Sequence, residues 1–287
     1  PGPYVVTLNG TGNTGCFFSK QLSFIVCSGD TLPVSKSDNN WYFGGNYFFP
    51  TFDAAGINFN PSSPVPLTNG NQEALEGCAT MSDADNGTLL FYTNGINVWD
   101  NTHAVMPNGT GLFGGYSTSQ TALIVPFPGN RNLYYIITGN GSTDIYKGYY
   151  YSIVDMSLNG GKGDVTTKNT VFFTGPCPEA QSAAARVSHE ALSGTVKYKG
   201  DCLRPAEYWV IIPACKDTFK TFLINSAGIN PPVTTVAPDN NYNGAGYSCV
   251  SPDGNKYAIS QYGGGTNKIR LFDFDRNTGS LTNEKHI

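Results

Sequence analysis

The chain has 287 residues, a net charge of −4 at neutral pH and a sequence pI of about 5.3. Its 17 basic residues are scattered singly and form no stripe that would neutralise phosphates, so nucleic acid is not an expected partner. No apolar run approaches the roughly 18 residues of a membrane-spanning helix, so membrane insertion is not expected either. Only 13% of residues are charged, while Gly, Tyr and Phe are abundant, which predicts an all-β fold with tight turns and little helix.

Residues 1–38 form a segment of their own. The stretches "PYVVTLNGTG" and "KQLSFIVCSGD" predict two strands, and "TLPVSKSDNN" predicts a polar linker. We expect a short strand pair here, or the end of an Ig-like module, with the main domain at residues 39–287. The chain begins at Pro1 without an initiator Met or a signal-like segment, which favours a mature or excised piece of a longer protein.

Four similar units follow one another in the main domain, with first strands that start near Ala79, Ala122, Ala184 and Tyr247. Each unit has a strand of small residues, a polar turn, an aromatic strand such as "LLFYT", "LYYIIT", "EYWVII" or "KYAIS", a Gly/Asn turn and an alternating strand. The mean spacing of about 56 residues is in the range of propeller blades. We therefore expect a β-propeller with WD40- or kelch-like blades, seven when complete, of which these four units form an open part.

The small first strands and apolar second strands have a physical reason. The innermost strand of a blade faces a crowded central channel, and the next strand is buried between neighbouring blades on both faces. A single blade cannot bury both of its faces, so the pattern predicts stability through stacking on neighbours.

Two acidic turns resemble calcium loops. "DADNG" at residues 83–87 lacks the third acidic position and the distal Glu of such a loop, and it aligns with "FPGNRN" and "SPDGNK" in other units. We interpret it as the turn between first and second strands, and "RNTG" near Asp273 and Asp275 as a hairpin turn. Calcium remains only weakly supported, and no other cofactor is expected.

Seven cysteines favour an oxidising compartment. Cys16 and Cys27 flank "FFSKQLSFIV" and suit a hairpin staple, and one further pair is expected among Cys177, Cys202 and Cys215, with Cys202 and Cys215 as the candidates. No C-x-x-C spacing occurs, which argues against a zinc site.

Recognised catalytic motifs are missing. The chain has no G-x-S-x-G elbow, no Walker loop and no Rossmann fingerprint, and its three histidines lie in no metal-ligand spacing. We therefore predict no catalytic residues. If the chain were a propeller glycosidase or lyase, two carboxylates about 5 to 9 Å apart would be required, and by location alone the candidates are Glu73, Glu76 and Asp100.

Aromatic stretches could form a platform on which sugars stack. The stretches "WYFGGNYFF" and "YKGYYYS" supply Trp41, Tyr42, Tyr149 and Tyr151 as candidates. Alternate residues of a strand point to opposite faces, so packing within and between blades explains most of these rings.

A series of phrases resembles a known family. "WYFGGN", "AGINFN", "PVPLTNG", "LEGCATMSDADNGTLLFYTNGINVWD", "STSQTALIVPFPGNRNLYYIIT" and "YYSIVDMSLNGGKGDV" together resemble the N-terminal propeller of large surface proteins of Bacteroidota. The resemblance covers roughly residues 41–287. It implies export by type IX secretion, a gliding-motility type of sorting domain beyond Ile287, surface display and an adhesive role, and it brings no catalytic residue set. The chain departs from that pattern at "GGNYFFPTF" and at the cysteine-bearing stretch from Cys177 to Cys202.

The leading expectation is a non-enzymatic, extracellular module of a bacterial surface adhesin that binds a glycan, a surface protein or a copy of itself. One alternative is a structural subunit of an extracellular filament, in which the N-terminal strands add to a neighbour's sheet edge. The other is a propeller-type carbohydrate-active enzyme.

Overall fold

The structure, a computed structural model, describes residues 3–11, 17–25, 35–44, 54–140, 148–174, 190–198, 206–214, 217–238, 246–261 and 268–287. For residues 3–11 and 17–25 the description covers the backbone strands. The described elements are antiparallel strands, apart from one 3-10 turn at Asn159–Gly161. The all-β fold expected from the composition is confirmed, and no helix in these ranges is long and apolar enough to cross a membrane.

The strands form one hairpin and five sheets that follow one another along the chain. The hairpin consists of β1 (Pro3–Thr11) and β2 (Phe17–Ile25). The first sheet holds β3 (Asn40–Gly44), β4 (Ala54–Asn58) and β5 (Val65–Gly70). The second holds β6 (Ala79–Ser82), β7 (Leu89–Thr93) and β8 (Val98–Asp100).

The three remaining sheets are larger. The third holds β9 (Ala122–Pro126), β10 (Leu133–Gly139), β11 (Tyr149–Asp155) and β12 (Asp164–Phe173). The fourth holds β13 (Ser193–Tyr198), β14 (Glu207–Pro213), β15 (Thr218–Asn225), β16 (Gly228–Ile229) and β17 (Val233–Val236). The fifth holds β18 (Ser248–Val250), β19 (Lys256–Gln261), β20 (Lys268–Asp275) and β21 (Ser280–His286). Each sheet is a meander, except that β16 and β17 both pair with β15.

The sequence repeat locates most of these sheets. The predicted starts at Ala79 and Ala122 are the first residues of β6 and β9, and Tyr247 directly precedes β18. The predicted start at Ala184 lies outside the described residues, and the first described strand of the fourth sheet, β13, begins at Ser193. Its small residue is Gly194, where a Cβ would lie 2.8 Å from the carbonyl oxygen of Trp209. Packing on the neighbouring strand therefore requires the small residue at this position.

The four units undercount the sheets. Residues 40–44 and 54–70 contribute three short strands to one sheet, and these strands carry no unit of the repeat seen further on. The described part of the chain thus holds five meander sheets, and the expected number of seven blades is not confirmed. The boundary placed after residue 38 falls between the hairpin and β3.

Four hydrophobic interfaces join consecutive sheets. Tyr42 of the first sheet stacks on Tyr92 of the second, with ring centroids 4.8 Å apart. The second and third sheets enclose Phe91 and Ile136, and the third and fourth enclose Ile137 and Val210. The fourth and fifth sheets meet around residues that include Ile211, Phe219, Tyr257 and Phe272. Each fully buried large side chain contributes about 1.5–3 kcal/mol, so sheet-on-sheet packing stabilises the whole series.

The acidic stretches are turns, as predicted. The Asp83 carboxylate accepts hydrogen bonds from the backbone N–H groups of Asp85 (3.0 Å) and Asn86 (2.9 Å), which closes the β6–β7 connection. Asp275 accepts from the backbone N–H of Asn277 at 2.9 Å, and the stretch "RNTG" connects β20 to β21. Side-chain hydrogen bonds to the backbone are the expected chemistry of such turns.

Candidate functional site

The segments that lead into the first strands of the sheets lie close together. The backbone N–H of Gly77, before β6, donates to the carbonyl oxygen of Thr118, before β9, at 3.1 Å. The N–H of Gln120 donates to the carbonyl oxygen of Glu190, before β13, also at 3.1 Å. A Cβ at Gly77 would lie 2.5 Å from the backbone nitrogen of Thr121, so only glycine allows this approach. Segments from three different sheets therefore form one surface.

The side chain of Gln120 extends this connection to the fifth sheet. Its amide oxygen accepts from the backbone N–H groups of Leu192 (3.2 Å) and Ser248 (2.8 Å), and its amide nitrogen donates to the carbonyl oxygen of Ser248 at 2.9 Å. The amide thus bonds to both backbone groups of Ser248, as a neighbouring strand would. This single side chain joins the third, fourth and fifth sheets.

Three side chains occupy the same position relative to their strands. Glu76, Ser119 and Glu190 each lie three residues before the first residue of β6, β9 and β13, respectively. The Ser119 Oγ lies 3.1 Å from Oε2 of Glu76 and 2.9 Å from Oε2 of Glu190. The two carboxylate oxygens are therefore at most about 6 Å apart. Ser117 also donates to the other oxygen of Glu76 at 2.8 Å. We call Glu76, Ser117, Ser119 and Glu190 the entrance cluster.

The proton count of the entrance cluster determines its chemistry. A serine hydroxyl carries one hydrogen, so the Ser119 hydroxyl can donate to only one of the two carboxylates at a time, while the Ser119 backbone N–H lies 3.4 Å from Oε2 of Glu190. Two carboxylates at this distance also repel each other by on the order of 1 kcal/mol in a solvated site. The pair is therefore suited to a ligand that brings hydroxyl or amine donors, or to a cation. Glu76 is exposed and Glu190 is half-buried, so a ligand can approach from solvent.

Two exposed tyrosines lie on the segments that lead into β9 and β18. Tyr116 is 42% exposed and directly precedes Ser117, and Tyr247 is 59% exposed and directly precedes Ser248. Partial burial, followed by the nearby Cys78 thiol, raises the pKa of the Tyr247 hydroxyl. Tyr247 of the fifth sheet therefore lies near Cys78, two residues after Glu76. Burial raises the pKa of the Cys78 thiol.

Of the three carboxylates named from sequence, only Glu76 belongs to this pair. Glu73 is exposed, and its backbone carbonyl accepts from the Asn94 amide at 2.6 Å. Asp100 is 3% exposed, and its Oδ1 accepts from the backbone N–H and the hydroxyl of Thr102. Asp100 is therefore a turn residue. The partner of Glu76 is Glu190, which sequence reasoning missed because the two residues lie in different units and no spacing rule connects them.

Of the four predicted sugar-stacking rings, the structure buries two and leaves two partly or largely exposed. Tyr149 is fully buried, and its hydroxyl lies 3.1 Å from the carbonyl oxygen of Ala191 and 3.3 Å from that of Pro213. Tyr42 is 4% exposed within its stack on Tyr92. The prediction is wrong for these two residues, because their rings form the interfaces between sheets. Tyr151 is half-buried against Tyr135, and Trp41 is 52% exposed on β3.

The predicted disulfide cysteines, Cys16, Cys27, Cys202 and Cys215, lie outside the described residues, as does Cys177. Within the described ranges, Cys78 and Cys249 are free thiols. The described ranges contain no group of three or more His, Cys, Asp or Glu side chains placed to hold a metal ion.

Comparison with known proteins gives no family. No protein-family model and no curated protein matches the chain. Among solved structures, a provisionally assigned 6-phosphogluconolactonase from Bacteroides fragilis is similar at a TM-score of 0.42 and 13% identity, covering 88% of this chain and 83% of its own. A protein from Lactobacillus plantarum is similar at 0.43 and 15% identity, with 87% and 67% covered. An α-L-arabinofuranosidase from Clostridium thermocellum is similar at 0.37 and 14% identity, with 87% and 69% covered. These TM-scores are too low to assign a fold family or an activity to this chain.

Proposed function

We propose that the protein is a carbohydrate-binding β-propeller domain whose ligand occupies the entrance cluster. The observation that supports this proposal best is the carboxylate pair, Glu76 and Glu190, which shares the hydroxyl of Ser119, the three residues holding equivalent positions before the second, fourth and third sheets. A sugar brings several hydroxyl donors on adjacent carbons, so it can donate to both carboxylates at once.

The exposed tyrosines fit the same ligand. A sugar ring has an apolar face of C–H groups that packs on aromatic rings, and tyrosine adds a hydroxyl at the edge of that contact. Tyr116 directly precedes Ser117 of the cluster, Tyr247 lies near Cys78 on the segment after Glu76, and both tyrosines are exposed. A few convergent polar groups beside aromatic surface are typical of small-ligand sites.

A glycan array of the purified protein tests this function, with the variants Glu76→Gln and Glu190→Gln. A hydrogen bond to a charged group contributes about 1.5–3 kcal/mol, so each variant should weaken binding about 10- to 100-fold. The matched control is Glu73→Gln, an exposed glutamate outside the cluster, which should bind as the wild type does. If no glycan binds, or if all three variants bind equally well, the proposal is wrong, and self-association should be measured to test the filament alternative.

Hydrolysis of a glycosidic bond is a second candidate function. Retaining glycosidases place their two carboxyl groups about 5–5.5 Å apart, and inverting enzymes place them about 6.5–9.5 Å apart. The oxygens of Glu76 and Glu190 that contact Ser119 are at most about 6 Å apart, which is closer to the retaining spacing than to the inverting one. The lack of a recognised catalytic motif favours binding without cleavage. Product analysis of every bound glycan separates the two functions, and cleavage that persists in Glu76→Gln would exclude this pair as its cause.

Calcium is another candidate ligand of the entrance cluster, and it can be tested in the same samples. Ca²⁺ takes six to eight oxygen ligands, of which the cluster could supply its carboxylate and hydroxyl oxygens. Glycan binding should therefore be measured with calcium and with a chelator. Binding that is unchanged by the chelator would assign the carboxylates to the sugar directly.

Surface display remains a proposal that rests on the resemblance to Bacteroidota surface proteins. In that setting the domain would act as the glycan-binding part of an adhesin. Protease treatment of intact cells of the source bacterium tests the location. Loss of the protein from intact cells supports display, and full protection until lysis contradicts it.

A further inference from the structure

Asparagine followed by glycine is the dipeptide most prone to spontaneous deamidation. The backbone nitrogen of the glycine attacks the side-chain carbonyl carbon of the asparagine, and glycine has no side chain to hinder that approach. The chain contains eight such pairs, and the structure describes five of them in full, at Asn69, Asn86, Asn94, Asn108 and Asn159. Because the surroundings of these five pairs differ, the structure indicates which of them can react.

Two conditions must hold before the ring can close. The side-chain amide of the asparagine must be free to turn toward the next residue. The N–H of the glycine must also be free, because its nitrogen has to lose the hydrogen in order to attack. A hydrogen bond that holds either group must break first, which raises the barrier to reaction.

Four of the five pairs do not meet these conditions. Their side-chain amides are held by hydrogen bonds, from Tyr42 to Asn69, from the N–H of Thr88 to Asn86, from Asn94 to the carbonyl oxygen of Glu73 and from Asn108 to Asp164. In three of the four pairs the glycine N–H is also bonded, at 2.8 to 2.9 Å, from Gly87 to Asp83, from Gly95 to Thr93 and from Gly109 to Met106. The fold therefore protects these four asparagines.

The fifth pair meets both conditions. Asn159 and Gly160 are exposed and lie in the 3-10 turn between β11 and β12. The hydrogen bonds of this turn run from the N–H of Gly161 to Leu158 (3.0 Å) and from that of Lys162 to Asn159 (3.3 Å). The N–H of Gly160 thus belongs to the first positions of the turn, which have no acceptor inside it. No hydrogen bond holds the Asn159 amide to another residue in the described ranges, and a Cβ on Gly160 would meet no atom within 4 Å.

We propose that Asn159 is a site of spontaneous deamidation in the folded protein. The nitrogen of Gly160 forms a bond to Cγ of Asn159 and gives its hydrogen to solvent. The side-chain NH2 group takes up a hydrogen from solvent and leaves as ammonia. Water then opens the resulting succinimide at either carbonyl group, which yields aspartate or isoaspartate. No electrons are transferred, and water is the only co-reactant.

The products change the β11–β12 turn and leave the entrance cluster untouched. Both products add one negative charge, and isoaspartate also lengthens the backbone of the turn by a methylene group. The turn lies at the far end of the third sheet, because Asp155, the last residue of β11, pairs with Leu133, whereas Ala122, which follows the entrance cluster, pairs with Thr138. This inference is therefore independent of the carbohydrate proposal.

Ageing of the folded protein in mildly alkaline buffer tests the proposal. Mass spectrometry of its peptides measures, for each pair, the mass gain that accompanies the exchange of NH2 for OH. We expect Asn159 to react several-fold faster than the four protected asparagines, and faster still as the pH rises, because the attacking nitrogen must lose its hydrogen. If Asn159 stays unmodified, or reacts no faster than those four, the proposal is wrong.

The same protein unfolded in guanidinium chloride is the matched control. All five pairs are followed by glycine, so their rates should become similar once the fold no longer protects four of them. An equal preference for Asn159 in the unfolded chain would refute the role of the fold. Fragmentation that distinguishes isoaspartate from aspartate tests the route, since aspartate alone would indicate direct hydrolysis of the amide and would contradict attack by Gly160.

Discussion

Gln120 offers the sharpest test of how the sheets are held together. Replacing it with methionine keeps an unbranched side chain of similar length and removes the amide. The substitution leaves the N–H of Leu192 and the N–H and carbonyl of Ser248 without the partner that the structure gives them. Leu192 and Ser248 are 2% and 3% exposed, so water replaces these bonds poorly.

The expected cost follows from those bonds. A hydrogen bond contributes about 0.5–1.5 kcal/mol net, and a buried group left unsatisfied costs about 1–3 kcal/mol. Three backbone partners therefore predict a loss of about 2–4 kcal/mol in the free energy of unfolding, with some recovery where water enters. For a chain of this size, 1 kcal/mol corresponds to about 2 °C in Tm, so the expected shift is about 4–8 °C.

Urea unfolding and thermal melting of Gln120→Met measure this loss. The control is Thr282→Met, which places the same side chain at an exposed position of β21 and should change stability by no more than about 0.5 kcal/mol. If Gln120→Met unfolds at the same urea concentration as the control, the amide does not join the three sheets in solution and the reasoning is refuted.

Two further predictions concern buried charge and pH. Arg270 is fully buried between Phe219 and Phe272, and its Nε donates to Glu284 at 2.6 Å. Removing that carboxylate in Glu284→Gln should lower the free energy of unfolding in urea by about 3 kcal/mol, because the guanidinium loses this charged partner. Replacing both residues with methionine should recover most of that loss. An equal loss in the double variant would contradict this account. Burial lowers the pKa of His103 below its usual 6.5, an effect that the charge of Asp100 partly offsets. As the pH falls, the unfolded state therefore binds the proton before the folded state does. The free energy of unfolding should accordingly fall as the pH drops below about 6.5. The variant His103→Asn, which tolerates the left-handed backbone at this position (φ 67°), should show a smaller fall between pH 7 and 5, and identical slopes for the two proteins would disprove the contribution of His103.

The protonation state of His103 has a geometric basis. Its Nε2 lies 2.8 Å from the amide nitrogen of Asn69, which can only donate, so Nε2 must be the unprotonated acceptor. Its Nδ1 lies 3.2 Å from the Tyr92 hydroxyl and carries the hydrogen. A second proton on the ring would face the Asn69 donor, in agreement with the direction of the pKa shift.

Local patterns predicted much of the fold. The alternation and the apolar runs identified β7, β10, β14 and β19 as second strands, because burial on both faces demands continuous apolar residues. The Asp, Asn and Gly content of residues 83–87 predicted a turn, because those side chains bond to nearby backbone groups. Each of these two signals depends only on residues that are close together in the sequence, so it can be recognised without the tertiary structure.

The repeat was not recognised in the first sheet because the strands of this sheet have only one buried face. Its second strand, "AAGIN", lacks the continuous apolar run on which the repeat was recognised. The small residues "AAA" near Ala184, which lie outside the described residues, fit the pattern of a first strand as well as "SGTV" does. The structure places "SGTV" in β13, with Gly194 against the backbone of Trp209.

The amino-acid sequence by itself determined the all-β class, the succession of meander units and the chemistry of their turns, because each depends on neighbours in the chain. The tertiary structure decided which side chains meet. Glu76, Ser119 and Glu190 are separated by 43 and 71 residues and converge only because three strands begin at one surface. It likewise decided that Tyr149 is buried while Trp41 is exposed, since the alternation of a strand defines two faces and only the packing of the sheets determines which of them is covered.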